Sequence, residues 1–176
     1  MTEPTERIGF VGIGRMGANM ARCLHERGLH LTSVYDLHSA AAVDLANELR
    51  VYPAQTPAEV ADRSSVIITV VSDDAAMRAI FSATDQTSLF GNARGRLFIN
   101  CATLSPGTHQ DIEGLVTERR GLCLEACIAG SITQARNGTL YLMCGGKPEA
   151  FARAETILGR LATTIRYIGP AGEAAK

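Results

Sequence analysis

Short apolar runs rich in valine and isoleucine alternate along the chain with longer segments whose apolar residues recur at helical spacing. This alternation is typical of β-α-β units, and the continuous apolar runs indicate strands buried on both faces of a parallel sheet. The predicted strands are Arg7 to Val11, Leu31 to Asp36, Val66 to Val71, Arg96 to Asn100, Gly121 to Glu125, Thr139 to Cys144 and Thr163 to Ile168. The predicted helices are Met16 to Arg27, Ala40 to Glu48, Ala75 to Ser82, Thr108 to Arg119 and Pro148 to Leu161, with a short helix at 57–60 after a break at Tyr52-Pro53. The order predicts a single α/β domain.

Several predicted helices carry their own start signals. Ser39, the pair Asp73-Asp74 and the pair Ser105-Pro106 each stand directly before a helix, where a side-chain oxygen caps free N–H groups and proline suits the first turn. Two adjacent carboxylates at a helix start point in different directions. We therefore interpret Asp73 and Asp74 as capping residues and not as an acid/base pair.

The strongest chemical signal is the glycine loop, Gly12-Ile13-Gly14-Arg15-Met16-Gly17, between the first predicted strand and the first predicted helix. In a G-x-G-x-x-G loop, the first glycine permits the tight turn, the second lets backbone approach a pyrophosphate, and the third lets helix and strand pack closely. The pyrophosphate then lies on the N–H groups at the positive end of the helix. Taken alone, such a loop is also compatible with an ordinary strand-to-helix turn.

A carboxylate strengthens the dinucleotide interpretation. Asp36 closes the next predicted strand about 20 residues after Gly17, the spacing expected for the side chain that binds the adenosine ribose. Together, these features predict an α/β, Rossmann-type doubly wound, mostly parallel sheet in three α/β/α layers that binds NAD or NADP. Asp36 would repel a 2′-phosphate and so favours NAD. Arg15 and His38 offer counter-charges, although Arg15 could equally contact the pyrophosphate or face solvent.

Charge and composition point to a small-molecule partner. The 17 Lys and Arg and 18 Asp and Glu residues are interspersed, so no basic patch predicts binding to nucleic acid. The longest apolar stretch, 66–71, is far shorter than the roughly 20 residues of a membrane-spanning helix. Residues 1–7 lack the features of a secretory signal, which predicts a cytoplasmic protein. The five cysteines form no C-x-x-C pair, and we interpret them as reduced, buried thiols.

The segment Ile8 to Ala21 resembles the opening of the β-hydroxyacid dehydrogenase family, which includes 3-hydroxyisobutyrate dehydrogenase and relatives of 6-phosphogluconate dehydrogenase. The similarity continues in order through 57–61, 100–106 and 138–146, and so covers nearly the whole chain. The resemblance implies the N-terminal, NAD(P)-binding domain of an enzyme that transfers hydride between the cofactor and a small 3-hydroxy acid or its semialdehyde. It also implies a full-length protein that is a homo-oligomer.

The resemblance assigns further cofactor contacts. Val71 and Ser72 match the family segment that passes under the cofactor, and Thr103 matches the threonine beside the nicotinamide. Without the resemblance, Thr103 would be only a cap or turn residue.

The segment that corresponds to the family's substrate site departs from the usual pattern. Where the family usually reads Asp-Ala-Pro-Val-Ser-Gly-Gly, residues 125–131 read Glu-Ala-Cys-Ile-Ala-Gly-Ser. Ala129 replaces the serine whose hydroxyl meets the substrate carboxylate, and Ser131 replaces the second glycine. Ser131 or the backbone N–H of Gly130 could bind an anionic group, while a helix N-cap at Ser131 is the alternative. The sequence therefore does not identify the substrate.

The resemblance also implies a catalytic lysine, a general acid or base on the carbinol oxygen, at the start of a helix leading into an all-helical second domain. The family spacing from Gly172 places this lysine beyond Lys176. Lys176 itself would match the catalytic lysine only if two residues were deleted from the turn. We therefore expect Lys176 to be a surface neighbour. We predict an NAD(P)-binding domain at 1–168, with 169–176 beginning the connection to a C-terminal helical domain absent from this chain, and a fragment that is inactive alone.

Other kinds of site find no support in the sequence. The four histidines have no metal-ligand spacing, and no cysteine lies near enough in sequence to complete a zinc set, so no metal site is predicted. We interpret the histidines as surface residues; they are His25, His30, His38 and His109. We likewise interpret Glu113 and Arg120 as part of a solvated face.

The competing function is a non-catalytic dinucleotide-sensing or protein-interaction module on the same fold.

Overall fold

A computed structural model describes residues 5–176. The strands are β1 (Ile8–Val11), β2 (Leu31–Tyr35), β3 (Tyr52–Pro53), β4 (Val66–Thr69), β5 (Leu97–Asn100), β6 (Leu122–Ala129), β7 (Leu140–Gly146) and β8 (Ala162–Gly169). The helices are α1 (Arg15–Glu26), α2 (Ser39–Leu49), α3 (Pro57–Arg63), α4 (Asp74–Ile80), α5 (Pro106–Glu118), α6 (Ile132–Asn137) and α7 (Pro148–Leu161), with a 3-10 turn at Phe90–Asn92. None of these helices is both long enough and apolar enough to cross a bilayer, within the described part of the chain.

All eight strands form one sheet in the order β3-β2-β1-β4-β5-β6-β7-β8. Neighbouring strands are parallel except for the antiparallel pair β6 and β7. The first six strands have the 3-2-1-4-5-6 order of a doubly wound dinucleotide-binding sheet. The predicted fold class is therefore confirmed. Strand order reverses between β1 and β4, and ligands of such sheets bind in the crevice at the carboxyl ends of these strands.

Helices cover both faces of the sheet, which explains why the strands are apolar without alternation. On one face, α1, α2, α6 and α7 form the larger hydrophobic core, and on the other, α3, α4 and α5 form a second core. Representative buried side chains are Met20, Leu45, Ala135 and Leu158 in the first core and Val60, Met77 and Ile112 in the second. All five cysteines are free and buried, as predicted.

The structure corrects several predicted boundaries. Tyr52-Pro53 is not a break but a two-residue strand paired with β2. The strand predicted to end at Glu125 runs on to Ala129, because β7 pairs with it in the antiparallel direction. Helix α6 is not among the predicted helices, although a helix N-cap at Ser131 was one of two predicted alternatives. Ser39 is the first residue of α2, which has His38 at its N-cap.

Candidate functional site

The glycine loop joins β1 to α1 at the point where strand order reverses. Gly12 has a φ of 90°, and a Cβ atom there would lie 2.3 Å from the carbonyl oxygen of Val70. A Cβ atom on Gly17 would lie 2.3 Å from the carbonyl oxygen of Gly12. These two positions therefore require glycine for the fold of the loop itself.

Gly14 is different, because nothing lies within 4 Å of the position that its Cβ atom would occupy. It is the N-cap residue of α1, and no side chain caps this helix. The first turn also contains no acidic residue. The start of α1 therefore presents backbone N–H groups and the positive end of its dipole toward open space, an arrangement that suits a phosphate group.

Asp36 lies beside this loop, immediately after the last residue of β2. Its Oδ2 accepts a hydrogen bond from the backbone N–H of Ile13 at 2.9 Å, and its Oδ1 accepts one from the backbone N–H of His38 at 2.9 Å. The carboxylate is thereby held against the glycine loop and half-buried. This is the placement that a ribose-binding carboxylate requires.

The loop and the carboxylate line a cleft of about 420 Å³. Apolar side chains from the ends of β2 and β4 and from α4 form much of the remaining wall. Burial raises the pKa of the Tyr35 phenol, and the neighbouring charge of Asp36 raises it further, so this wall residue is neutral. The predicted cofactor residues that line the cleft are Gly12, Gly14, Asp36, Val71 and Ser72. The remaining loop residues lie outside this lining set. The Ile13 side chain is buried, and Arg15, Met16 and Gly17 lie in the first turn of α1.

Thr103 lies at the same edge of the sheet, exposed in the loop between β5 and α5. Asp74, on α4, accepts a hydrogen bond from the backbone N–H of Ser105 at 2.9 Å and so anchors this loop. That hydrogen bond lowers the pKa of Asp74. Asp73 caps α4, and Ser105 caps α5. The predicted capping roles of Asp73 and Ser105 are confirmed. The capping role predicted for Asp74 was wrong, because Asp74 is the first residue of α4 and its carboxylate instead anchors the loop at Ser105.

Ser131 caps α6. Its hydroxyl accepts a hydrogen bond from the backbone N–H of Gln134 at 3.2 Å, and the Gln134 side chain accepts one from the backbone N–H of Ser131 at 2.7 Å. This is a complete capping box. Ser131 is therefore a helix N-cap, as one of the two predicted alternatives held. Ala129, Gly130 and Ser131 are all exposed at the end of β6.

Lys176 pairs with Glu173, three residues before it, at 2.5 Å. Its side chain is 59% exposed, and Lys176 is not among the residues of the described chain that line the cleft. This placement agrees with the expectation of a surface residue.

Two interpretations of polar residues on α5 were wrong. His109 is buried rather than on the surface, because it occupies the face of α5 that packs against the sheet. Its Nε2 lies 3.8 Å from Oε1 of the buried Glu125 on β6. Glu113 is half-buried, and burial raises the pKa of its carboxyl. One oxygen of Glu113 is buried without a hydrogen-bond partner, so this residue is not part of a solvated face.

The comparisons with known proteins agree with this geometry. Residues 7–169 match the family described as the NAD binding domain of 6-phosphogluconate dehydrogenase. The chain is 31% identical over 178 residues to a probable mitochondrial 3-hydroxyisobutyrate dehydrogenase of Arabidopsis thaliana, covering 95% of this chain and 51% of that protein. It is 28% identical to the human mitochondrial 3-hydroxyisobutyrate dehydrogenase, covering 96% of this chain and 50% of that protein.

A solved structure extends the likeness to the fold. The 3-hydroxyisobutyrate dehydrogenase of Mycobacterium tuberculosis, determined with L-serine, superposes with a TM-score of 0.87 and 25% identity, covering 98% of this chain and 57% of that chain. The chain thus spans about half the length of the curated relatives it matches. Since the family match extends over residues 7–169, the chain belongs to the family of NAD-binding domains typified by 6-phosphogluconate dehydrogenase.

Proposed function

We propose that this chain is the cofactor-binding part of an oxidoreductase that transfers hydride between NAD and a small 3-hydroxy acid or its semialdehyde. The observation that carries the proposal is the cleft in which an uncapped helix start and the Asp36 carboxylate lie side by side. The similarity to 3-hydroxyisobutyrate dehydrogenases supports the reaction class. It also favours this function over the non-catalytic module.

The backbone of the glycine loop would hold the pyrophosphate. Gly14 leaves the approach open, and the N–H groups in the first turn of α1 offer hydrogen bonds without a competing side-chain cap. The loss of any one such contact to a charged group weakens binding by about 1.5–3 kcal/mol. Val71 and Ser72 line the cleft at the end of β4, where the cofactor would pass above them.

Asp36 supports a preference for NAD. Its carboxylate already accepts two backbone N–H groups, and an ionised carboxylate has further lone pairs for a ribose hydroxyl. A 2′-phosphate at the same place would meet a like charge. His38 contributes only its backbone N–H to Asp36, and its imidazole is exposed beside it.

The bound nicotinamide would supply or accept the hydride. Thr103, after β5, would contact the nicotinamide end of the cofactor, and residues 129–131, after the exposed end of β6, would meet the substrate. Ala129 offers no hydroxyl, and the Ser131 hydroxyl is engaged in capping α6, so the backbone N–H of Gly130 is the group we assign to a substrate carboxylate. We assign no proton transfer to Lys176, which pairs with Glu173.

Calorimetric titrations with fragments of the cofactor test the binding proposal. We expect NADH and ADP-ribose to bind with similar affinity, because both carry the pyrophosphate and the adenosine ribose, and AMP to bind at least about tenfold more weakly, a difference of ~1.4 kcal/mol. NADPH should bind more weakly than NADH because of Asp36. Failure of all four compounds to bind would overturn the proposal.

Turnover is tested separately on the gene product that carries this chain. NAD reduction with 3-hydroxyisobutyrate or L-serine, both of them 3-hydroxy acids, would support the substrate class. Tight NADH binding combined with no turnover of either acid would reject the substrate class and leave the cofactor site intact. The cytoplasmic location and the homo-oligomeric state of the full-length protein remain predictions from sequence and resemblance.

A further inference from the structure

Three side chains with metal-binding atoms meet in the interior between α5 and β6. They are His109, Glu125 and Cys127, called here the buried trio, and they are only 2%, 2% and 4% exposed. One ligand atom from each lies within 4.8 Å of the other two. Sequence spacing did not predict a metal site here, since the fold brings His109 to the other two from a separate element.

The imidazole of His109 is the least satisfied member of the trio. Its Nε2 is buried and has no hydrogen-bond partner. A histidine can bind a metal ion only through a ring nitrogen that is free of other hydrogen bonds, and Nε2 of His109 meets that condition. An orphaned buried nitrogen aimed at a carboxylate and a thiol therefore requires an explanation.

The distances suit a small cation. Glu125 Oε1 lies 3.8 Å from His109 Nε2 and 3.5 Å from Cys127 Sγ. Zinc binds nitrogen and oxygen at about 2.0–2.2 Å and sulfur at about 2.3 Å, so tetrahedral geometry separates such donors by about 3.3–3.7 Å. Two of the three donor pairs are thus within a few tenths of an ångström of that range, and the third pair, within 4.8 Å, closes by up to about 1 Å to reach it.

The charges of the ligands and the hydrogen bond that holds Glu125 also favour a doubly charged cation. A carboxylate and a thiolate together balance the charge of Zn²⁺, which removes the penalty of an isolated charge in this buried position. The second oxygen of Glu125, Oε2, accepts a hydrogen bond from the backbone N–H of Gly172 at 2.7 Å and so fixes the carboxylate. A nitrogen, an oxygen and a sulfur ligand together match the preferences of zinc.

We propose that His109, Glu125 and Cys127 bind one Zn²⁺ ion. The three side chains fill three positions of a tetrahedral site, and the fourth takes a small ligand such as water. Because Glu125 also holds Gly172, the ion ties α5, β6 and the turn after β8 into one unit. This site is separate from the glycine loop and does not depend on the proposed oxidoreductase function.

Cobalt substitution tests the proposal directly. Protein stripped of metal with a chelator is titrated with Co²⁺, and we expect one equivalent to give the near-ultraviolet charge-transfer band of a cobalt–thiolate bond. Zn²⁺ should displace it, and elemental analysis should find one zinc per chain. Binding of zinc should also raise the melting temperature of the stripped protein.

Matched variants assign the ligands. Cys127→Ser should abolish the charge-transfer band, and His109→Ala should weaken zinc binding by more than the 10–100-fold typical of a second-shell partner. Cys23→Ser, which alters another buried thiol on α1, should leave the band unchanged. Circular dichroism verifies that each variant is folded; if Cys127→Ser is not, X-ray absorption of the zinc-loaded native protein must show one sulfur neighbour. Absence of the band, or zinc affinity unaltered by His109→Ala, would overturn the proposal.

Discussion

The Asp36 carboxylate accepts a hydrogen bond from the backbone N–H of Ile13 at 2.9 Å, although 23 residues separate them in sequence. This contact joins the end of β2 to the second residue of the glycine loop. It fixes one carboxylate oxygen beside the start of α1, so a single ligand can reach both the loop and the carboxylate. Under the proposed function, this contact places the charge that would favour NADH over NADPH.

Replacing Asp36 with asparagine should shift the cofactor preference toward NADPH. Asparagine keeps an oxygen acceptor for the Ile13 N–H but removes the charge that repels a 2′-phosphate. We expect the ratio of NADH to NADPH affinity to fall by about tenfold or more, ~1.4 kcal/mol, measured by calorimetric titration of both nucleotides. Asp44→Asn, which removes an exposed charge from α2, is the control and should leave the ratio unchanged. An unaltered ratio in the Asp36 variant would contradict the assigned role.

Two glycine substitutions should separate folding from binding. In Gly14→Ala the new methyl group meets no atom of the protein, so the melting temperature should hardly change while NADH affinity falls by at least about tenfold. In Gly12→Ala the methyl group would collide with the Val70 carbonyl at a positive φ, which should destabilise the protein by about 1–3 kcal/mol. Thermal unfolding and calorimetry on both variants measure the two effects. Wild-type NADH affinity in the Gly14 variant would show that this position does not face the pyrophosphate.

Removal of the α6 cap should reduce stability. Ser131→Ala deletes the hydroxyl that accepts the Gln134 N–H, and the loss of such a cap costs about 1 kcal/mol. Chemical denaturation measures the free energy of unfolding. Thr133→Ala, an exposed position on the same helix, should have a smaller effect. If Ser131→Ala leaves stability unchanged, the capping box contributes little and the hydroxyl is available for a ligand.

An ion pair near the start of the chain should make stability depend on acidic pH. Arg153, on α7, hydrogen-bonds to Glu6, and this contact lowers the pKa of the Glu6 carboxyl. A carboxyl with a lowered pKa in the folded state stabilises the protein above its unfolded pKa, and that contribution disappears as pH falls through the folded value. The difference in unfolding free energy between the native protein and Glu6→Gln should therefore be largest near neutral pH and shrink below about pH 4.5.

The control for this pH series is Glu155→Gln, which changes an exposed carboxylate on α7, the helix that carries Arg153. Its difference from the native protein should stay flat across the series. A Glu6→Gln difference that grows on acidification would contradict the sign of the effect.

The meeting of the glycine loop with Asp36 could be predicted from sequence because the positions of both follow local rules. Gly12, Gly14 and Gly17 are specified by the geometry of one turn, and Asp36 by the length of one helix and one strand. The burial of His109 depends instead on which face of α5 meets the sheet. That orientation is a tertiary property, and the meeting of His109 with Glu125 depends on it too.

The elements that were missed are short or depend on a partner strand. Helix α6 has six residues, too few for a helical period to be visible, and its cap, Ser131, falls in a segment first considered for substrate binding. The extension of β6 beyond Glu125 arises from antiparallel pairing with β7, which no local pattern encodes.

The edge strand β3 is too short to pair with a strand of another molecule. Strand β3 contributes only Tyr52 and Pro53, and the proline has no N–H to offer a neighbouring polypeptide. A second molecule approaching from that side would find no continuous ladder to extend. The short strand thereby protects the sheet against edge-to-edge aggregation at β3.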